Sequence, residues 1–402
     1  MPIAQGTQKV VAYRLETVGG TPPGTTGGRQ IRRVTADFNL VKDAFESGEI
    51  RADRQMADFR HGIRSAEGSI SGELSAGTYN DFIGSLLARN FTATALGAAV
   101  SITVTTAAGV SQFVRTTGSW ITSGFEVGMV IRGTGFTAPA DNNKNFLVTA
   151  VTALNLSVVA LNGVHAVAQP TAASVTFTSP GGRTFVPLTG HTDQSYSIEQ
   201  WFPDVPASEL YTGMKVNSLA VSLPATGLTT VDVGFAGRDL GLRGTTQYYV
   251  SPTAQNTNGI FAAVNGAVMV NGQRVALITS ADFTVERATE NAVVVGSNSV
   301  ADIFTGRIVA SGNLNIYFEN TTFRDMFNDE SVISIVMALT ADNTPGSQFV
   351  SFTFPKVKLN SHTLDDGELG LTASVAFQAL LNDVSNTGLP LTTVSVQDSN
   401  AI

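Results

Sequence analysis

The amino-acid sequence predicts a mainly β protein with two tandem copies of one β domain, each with a flanking helix, and a small inserted all-β domain. Three observations lead to this prediction. The 402 residues are rich in glycine, threonine, valine, alanine and serine, which favour strands and tight turns over long helices. One stretch of the chain occurs twice at a constant spacing, and that spacing later shortens abruptly. The shortening indicates that one copy contains residues that the other lacks.

The repeat is clearest where residues 58–82 match residues 302–326 at an offset of 244. Glycines, aromatic residues and a Thr-x-x-Asp pattern hold the same offset through the whole stretch. Upstream, residues 36–38 match residues 281–283 at an offset of 245, so the copies differ by one residue in between. A match of this length indicates a duplicated domain and not a chance similarity between two β-rich segments.

Further along the chain the offset is smaller. Lys215 matches Lys356 at an offset of 141, and Val233 matches Val375 at 142. The first copy therefore holds roughly 103 residues that the second lacks. The predicted division is copy one at 1–90 and 187–255, an insert at 91–186, and copy two at 256–402.

The elements of copy one follow from hydrophobic periodicity. Residues 30–41 alternate loosely as in a strand, and residues 69–74 form a second strand. Residues 79–89 carry apolar side chains at helical spacing, and Thr78 with Asp81 fits a capping box at the start of this helix. Copy two keeps that pattern as Thr322 with Asp325. Long hairpins are predicted at 215–223 with 228–235, and at 356–364 with 369–377.

Between the first two strands lies a segment, residues 42–60, that is far more charged than the rest of the chain. Two interpretations are open, a solvated loop or a protruding loop that makes ion pairs between subunits. Besides Lys42, its charged residues are Asp43, Glu46, Glu49, Arg51, Asp53, Arg54, Asp58 and Arg60.

The insert is predicted to be an independent β domain, a small barrel or sandwich. Short runs of alternating apolar residues are separated by turns rich in glycine, proline and asparagine. The predicted strands are 100–105, 128–132, 145–151, 156–159 and 174–177.

Charge is distributed unevenly along the chain. The net charge is −8, with +2 in the insert, −2 in copy one and −8 in copy two. An acidic body argues against tight binding of nucleic acid, although a surface along which nucleic acid slides without sticking is compatible with it. The sequence has no signal peptide and no transmembrane run, so we expect a soluble intracellular product with no membrane partner.

No constellation of residues predicts catalysis or a cofactor. The chain has no cysteine, and its four histidines show no metal-binding spacing. Asp365, Asp366 and Glu368 fall at a predicted hairpin tip, where adjacent acidic residues are typical of a turn and not of a cleft. We therefore predict that the protein is not an enzyme, with no cofactor, metal or catalytic residue.

Three segments of copy one resemble the tail tube proteins of long-tailed phages with non-contractile tails. They are residues 49–62, residues 68–79, and residues 211–217, which begin Tyr-Thr-Gly-Met-Lys-Val. The resemblance covers the body of copy one and, more weakly, copy two, and the insert lies outside it. It rests on a run of matched positions and not on a chemical signature.

This resemblance implies two tail-tube-type β-sandwich or barrel domains whose inner sheets join between neighbours around a lumen. Rings of such domains stack into the tube through which genomic DNA leaves the head. The family usually presents six domains per ring, so two domains per chain imply three chains with pseudo-sixfold symmetry. Double-stranded DNA would pass an acidic lumen without specific binding, and the insert would decorate the outside.

The charged segment matches the family position of a loop that contacts the adjacent ring, so its eight residues from Asp43 to Arg60 are the candidate inter-ring site. Its counterpart, about 286–304, carries fewer charges and should make different contacts. The implied partners are other copies of the chain, a tape measure protein inside the tube, and terminator and baseplate proteins at its ends. The implied location is the virion tail, assembled in the host cytoplasm.

Two alternatives remain from the sequence. A baseplate or tail-terminator component would form one ring but no tube. A carbohydrate-binding adhesin of the virion would need exposed aromatic residues in the insert, for which Trp120 is the main candidate.

Overall fold

A computed structural model describes residues 3–107, 109–368 and 370–401, and within them the protein is mainly β, as predicted. Copy one begins with β1 (Val10–Leu15), β2 (Arg29–Gln30), β3 (Thr35–Glu46), β4 (Phe59–Glu73) and α1 (Asn80–Leu86). The insert contains β5 (Val100–Ala107), β6 (Val110–Arg115), β7 (Val130–Thr134), β8 (Asn145–Val151), β9 (Asn155–Ala160) and β10 (Gln169–Thr178).

After the barrel the chain forms β11 (Gly182–Phe185), which pairs with Ser395–Asp398 of copy two. It then returns to copy one with β12 (Tyr196–Phe202), β13 (Ala207–Pro224), β14 (Thr230–Gly237) and β15 (Asp239–Gly244). Copy two contains β16 (Gly266–Val270), β17 (Gln273–Arg274), β18 (Ile278–Ala292), β19 (Asp302–Tyr317), α2 (Thr322–Asn328), β20 (Ile333–Thr340), β21 (Phe349–Leu364), β22 (Thr372–Ala379) and β23 (Ser395–Asp398). Two 3-10 turns lie at Pro139–Asp141 and Ala263–Asn265.

One antiparallel sheet of eight strands runs through both copies. Its order is β3-β4-β14-β13 from copy one, followed directly by β18-β19-β22-β21 from copy two. The two halves have the same internal order, because β3, β4, β14 and β13 correspond to β18, β19, β22 and β21. We call this eight-stranded arrangement the long sheet.

A second layer of strands covers one face of the long sheet. In copy one it contains β1, β2, β12, β15 and the first half of β13, and in copy two it contains β16, β17, β20, β23 and the first half of β21. Strands β13 and β21 belong to both layers, and each has a register shift where it passes between them. Each copy is therefore a two-layered β structure.

The core lies between these layers and is continuous across the two copies. Strand β14 shows how the sequence forms this core: its side chains alternate between buried positions that face the core and partly exposed positions on the opposite face. Equivalent aromatic pairs pack in both halves: Phe38 lies 5.8 Å from Tyr211, and their counterparts Phe283 and Phe354 lie 5.2 Å apart, measured between ring centroids. Such ring pairs add to the stabilisation from buried apolar area.

Both predicted helices are present, but the predicted caps are wrong. The N-cap of α1 is Tyr79, and the N-cap of α2 is Thr321, each without a side-chain capping hydrogen bond. The hydroxyl of Thr78 instead lies 2.6 Å from Ser75 Oγ and accepts from Asn256 Nδ2 at 2.8 Å. A hydroxyl engaged in this way is not available to the helix.

The insert contains a closed six-stranded barrel in the order β10-β5-β6-β9-β8-β7. Its predicted strands are present, and β6 is an additional strand that the sequence analysis missed. The barrel core extends to Met269, Val336 and Phe349, which lie on the second layer of copy two and face away from the long sheet. The barrel and the long sheet thus occupy opposite sides of that layer.

Strand pairing corrects one part of the repeat. Val216 lies opposite Phe235, and Leu359 lies opposite Phe377, which is the counterpart of Phe235 at an offset of 142. Val216 therefore corresponds to Leu359 at an offset of 143, and Lys215 corresponds to Lys358 and not to Lys356. The predicted start of the last hairpin strand, Leu369, lies outside the described residues.

Candidate assembly interface

The two copies meet inside one chain along a seam between β13 and β18. These strands pair antiparallel from Ser218 opposite Glu286 to Pro224 opposite Ser280. On the core side of the seam, Val221 and Val285 are each 1% exposed. On the other side, Ser222 Oγ donates a hydrogen bond to Asp282 Oδ1. Backbone pairing, apolar burial and a polar contact thus act together at this seam.

The hairpin between β18 and β19 extends the seam by lying against copy one. The backbone N–H of Val300 donates to the carbonyl of Arg64 at 3.3 Å, and Arg238 Nε donates to the carbonyl of Val300 at 3.2 Å. Val300 and Ile303 are each 1% exposed as a result. Burying an apolar side chain of this size contributes roughly 1.5–3 kcal/mol.

Four charged residues from both copies meet beside this hairpin, and we call them the seam cluster. Lys215 Nζ lies 2.6 Å from Asp193 Oδ2 and 3.5 Å from Asp302 Oδ1, and it donates to the carbonyl of Ile303 at 2.8 Å. Arg287 Nη2 lies 3.7 Å from Asp193 Oδ1. Burial lowers the pKa of Arg287, and Asp193 opposes that shift. The cluster places one cation and one anion from each copy together.

The outer edges of the long sheet repeat the seam strands without a partner. In the described part of the chain, β3 pairs only with β4, and the 358–364 part of β21 pairs only with β22. β3 is the counterpart of β18, and this part of β21 is the counterpart of the seam part of β13. Leu364 is 49% exposed, whereas its counterpart Val221 is 1% exposed. Exposed edges of this kind are templates for pairing with another chain.

The eight candidate inter-ring residues lie on the hairpin between β3 and β4, and all are exposed. Arg51 Nη2 lies 2.9 Å from Asp53 Oδ2, and Arg60 Nε lies 3.0 Å from Asp58 Oδ2. The hydrogen bond between Arg51 and Asp53 raises the pKa of the guanidinium and lowers the pKa of the carboxyl group. Asp43 and Glu46 belong to β3, Arg60 belongs to β4, and the other five lie in the connecting turn.

The face of the long sheet opposite the core is acidic. Asp37, Asp232, Asp282 and Glu286 alternate with buried residues along the central parts of its strands, as do Glu67 and Glu73 on β4. The seven segments 36–41, 66–73, 218–223, 230–236, 280–286, 310–316 and 372–378 contain no lysine or arginine. Hydroxyl groups on the same face bond these carboxylates, as Ser69 Oγ does to Asp37 Oδ1 at 3.1 Å.

Within residues 3–107, 109–368 and 370–401, no three His, Asp or Glu side chains lie together as metal ligands would. Neither helix of that part of the chain is long and apolar enough to cross a bilayer. Trp120, the residue that an adhesin would expose, is fully buried in the barrel, where its Nε1 donates to the carbonyl of Leu154 at 3.1 Å.

Sequence analysis missed the residues of the seam itself, although the repeat contains a signal for them. Asp302 has its counterpart Asp58 in the repeat itself, at an offset of 244, whereas the match of Lys215 with Lys358 depends on strand pairing that no single sequence displays. Exposed apolar residues within a charged loop, such as Met56 and Phe59, are a second signal of an interface.

Exposed strand edges at both ends of one sheet, with an acidic face between them, are features of a structural protein that forms assemblies. A scan against protein-family models matches the phage tail tube protein family over residues 6–379. The chain therefore belongs to the phage tail tube protein family and is a structural component of the virion tail. A search of curated proteins found no match.

Proposed function

We propose that this chain is the repeating subunit of the tail tube, and that its rings close when the free end of β21 pairs with β3 of the next chain. The seam inside one chain carries this proposal, because β13 already pairs there with β18. The equivalent outer edges, that of β21 at residues 358–364 and that of β3, have no second strand partner in the described chain. Repeating one head-to-tail contact closes a ring when its rotation is a whole fraction of a turn.

Three chains would close such a ring with pseudo-sixfold symmetry. Each chain contributes two tube domains, and the family resemblance implies six domains per ring. Three seams would then lie within chains and three between chains. The two kinds of seam share strand geometry but differ in side chains, so the sixfold symmetry would be approximate.

The acidic face of the long sheet is the proposed lumen surface. Its central strand segments contain no lysine or arginine, and those of β3, β4, β14 and β18 carry carboxylates that would repel DNA phosphates. A surface without cations has no counterion-release contribution to binding, and DNA would slide along it during ejection. The core and second layer cover the opposite face, which supports this orientation.

The inserted barrel then projects outwards, since it lies on the far side of the second layer from the long sheet. The proposed partners are further copies of the chain, a tape measure protein within the lumen, and terminator and baseplate proteins at the tube ends. Assembly would take place in the host cytoplasm.

The turn between β3 and β4 is the proposed contact with the adjacent ring. It contributes Glu49, Arg51, Asp53 and Arg54, which are exposed and lie beyond the paired strands. Charges of both signs suit ion pairs with a second ring that presents complementary charges.

Disulfide cross-linking tests ring closure directly, because the native chain contains no cysteine. Ala220 lies opposite Thr284 at the internal seam. Their counterparts at the outer edges are Thr363 and Asn39, so the variant Thr363→Cys/Asn39→Cys should cross-link neighbouring chains upon oxidation. We expect covalent products of two and three chains on denaturing gels, with closed three-chain rings as the largest.

The internal pair supplies the matched control. Ala220→Cys/Thr284→Cys should form a disulfide within one chain and give no higher-mass product. If assembled Thr363→Cys/Asn39→Cys protein stays monomeric on oxidation while the control cross-links, the proposed pairing is wrong. Products larger than three chains would contradict the stoichiometry instead.

Negative-stain imaging of the purified protein separates a tube subunit from the alternative of a terminator or baseplate ring. We expect stacked rings with a central lumen. Single rings that never stack would favour a terminator or baseplate component. The buried position of Trp120 removes the main support for an adhesin.

A further inference from the structure

A groove lined mostly by copy two, and in part by copy one, corresponds in position to the surface of copy one that holds the β18–β19 hairpin. It has a volume of about 650 Å³, and Ile308, Leu380 and Leu381 are among its lining residues. Ile308 is the counterpart of Arg64, and Leu380 is the counterpart of Arg238, the two residues that bond Val300 inside the chain. The groove on copy two is thus the equivalent hairpin-binding surface without a hairpin.

The β3–β4 hairpin has the matching features for this groove. Met56 and Phe59 are the counterparts of Val300 and Ile303 at an offset of 244. They are 61% and 45% exposed, whereas Val300 and Ile303 are each 1% exposed. The same positions are therefore apolar in both copies, and they are buried only where a neighbouring domain is present.

The charges repeat as well. Pairing of β12 with β13 and of β20 with β21 makes Glu330 the counterpart of Asp193, just as Lys358 is that of Lys215. Lys358 Nζ lies 3.0 Å from Glu330 Oε2, which repeats the contact between Lys215 and Asp193. Half of a second seam cluster is therefore already present in copy two.

The other half is found at the opposite end of the long sheet. Arg287 corresponds to Lys42, because Arg287 lies opposite Ile308 and Lys42 lies opposite Arg64. Asp302 corresponds to Asp58 at an offset of 244. All four positions thus keep their sign of charge, although Lys42 and Asp58 are exposed and far along the sheet from Glu330 and Lys358.

We infer that Lys42 and Asp58 of one chain join Glu330 and Lys358 of its neighbour in a second seam cluster, while Met56 and Phe59 enter the groove beside Leu380. This inference rests on the proposed ring and names the side-chain contacts that hold its seams between chains. The hairpin then has two roles. Lys42 of β3 and residues 56–59 contact the neighbour in the same ring, and residues 49–54 of the turn remain the proposed contact with the next ring.

Charge reversal in matched pairs tests the cluster without changing net charge. One variant carries Lys42→Asp/Asp58→Lys, and a second carries Glu330→Lys/Lys358→Asp. Each alone places like charges together at every seam between chains, so the protein concentration needed for ring assembly should rise at least about tenfold. The combined four-residue variant restores opposite charges and should assemble within about twofold of the native protein.

Sedimentation of a concentration series measures assembly, and thermal unfolding of the unassembled protein checks the fold. The Lys42→Asp/Asp58→Lys variant should unfold at the native temperature, because both side chains are exposed in a single chain. Native assembly by either two-residue variant would overturn the cluster but leave ring closure intact. A four-residue variant no better than the two-residue variants would also overturn it. Absence of rings from the native protein would instead overturn the proposed function.

Discussion

At the scale of single residues, Asp141 and Lys144 form a buried ion pair within the barrel. Lys144 Nζ lies 2.9 Å from Asp141 Oδ1, and the two side chains are 2% and 0% exposed. The other carboxylate oxygen of Asp141 accepts a hydrogen bond from the backbone of Val167 at 2.8 Å. The pair ties the turn before β8 to the loop before β10.

The variant Asp141→Asn should lower the free energy of unfolding of the barrel by about 3–5 kcal/mol, because it leaves the Lys144 ammonium buried without a counter-charge. Chemical denaturation followed by the fluorescence of the buried Trp120 measures the change. The double variant Asp141→Asn/Lys144→Met should recover most of the loss. Equal stability of the single and double variants would contradict this account.

The exposure and the repeat counterpart of a residue could be predicted from sequence only where a local pattern was sufficient. The eight charged residues of the β3–β4 hairpin were expected to be on the surface, and they are exposed. The match of Lys215 was placed on Lys356 because Lys356 and Lys358 are two residues apart and both precede an apolar residue. Only the hydrogen-bond register of β21 with β22 distinguishes them.

At the scale of secondary-structure elements, the turn of the β3–β4 hairpin is where the copies differ most in charge. The nine residues between Ala292 and Asp302 include no charged side chain, whereas the equivalent ten between Ser47 and Asp58 include four. The one-residue difference in the repeat falls within this turn. A longer and charged turn in only one copy suits a contact made once per chain.

Charge reversal of the turn by Arg51→Glu/Arg54→Glu should reduce the stacking of rings into tubes while rings still form. Both guanidinium groups are exposed, so their loss should leave the thermal unfolding temperature unchanged within error. Electron microscopy counts tubes against rings. The variant Arg51→Asp/Asp53→Arg exchanges the two charges, keeps the net charge and serves as the control. An unchanged tube yield with Arg51→Glu/Arg54→Glu would show that the turn does not contact the adjacent ring.

The barrel should be removable if β11 is kept. Residues 182–185 pair with β23 of copy two, so the deletion should end before Gly182 and not at 186. Replacement of residues 94–181 by a short glycine–serine linker should preserve tubes and reduce their outer diameter. Because deletion uncovers Met269, Val336 and Phe349, these should be changed to threonine to prevent aggregation. Loss of tubes in a folded deletion variant would refute the external position.

Strand prediction succeeded where buried and exposed residues alternate, and it failed where a buried position is polar. Strand β6 was missed because its inward positions are Ser111 and Phe113, so that only one of the two is apolar. Ser111 is buried because its hydroxyl accepts from the backbone N–H of Ala166 at 3.1 Å. Such a contact joins distant parts of the chain, and periodicity does not report it.

At the scale of the whole molecule, the long sheet is continuous through both copies and leaves an edge open at each end. Its internal seam was inaccessible to sequence analysis, because the pairing of β13 with β18 joins strands whose partners lie more than fifty residues apart. The repeat nevertheless predicted two like domains. The family resemblance added the expectation that their inner sheets join, and the internal seam is one instance of such a join.

Packing of the barrel against copy two has a consequence for how one ring would be placed upon another. A ring of six identical single-domain subunits is unchanged by a rotation of one sixth of a turn, so a placement error of that size would have no structural effect. With one barrel per two domains, that rotation would exchange copy one for copy two in the proposed three-chain ring, and an incoming ring would have a correct and an incorrect angular setting. The charged turn, also present once per chain, would select between them. The barrels would then follow regular helical lines along the tail exterior.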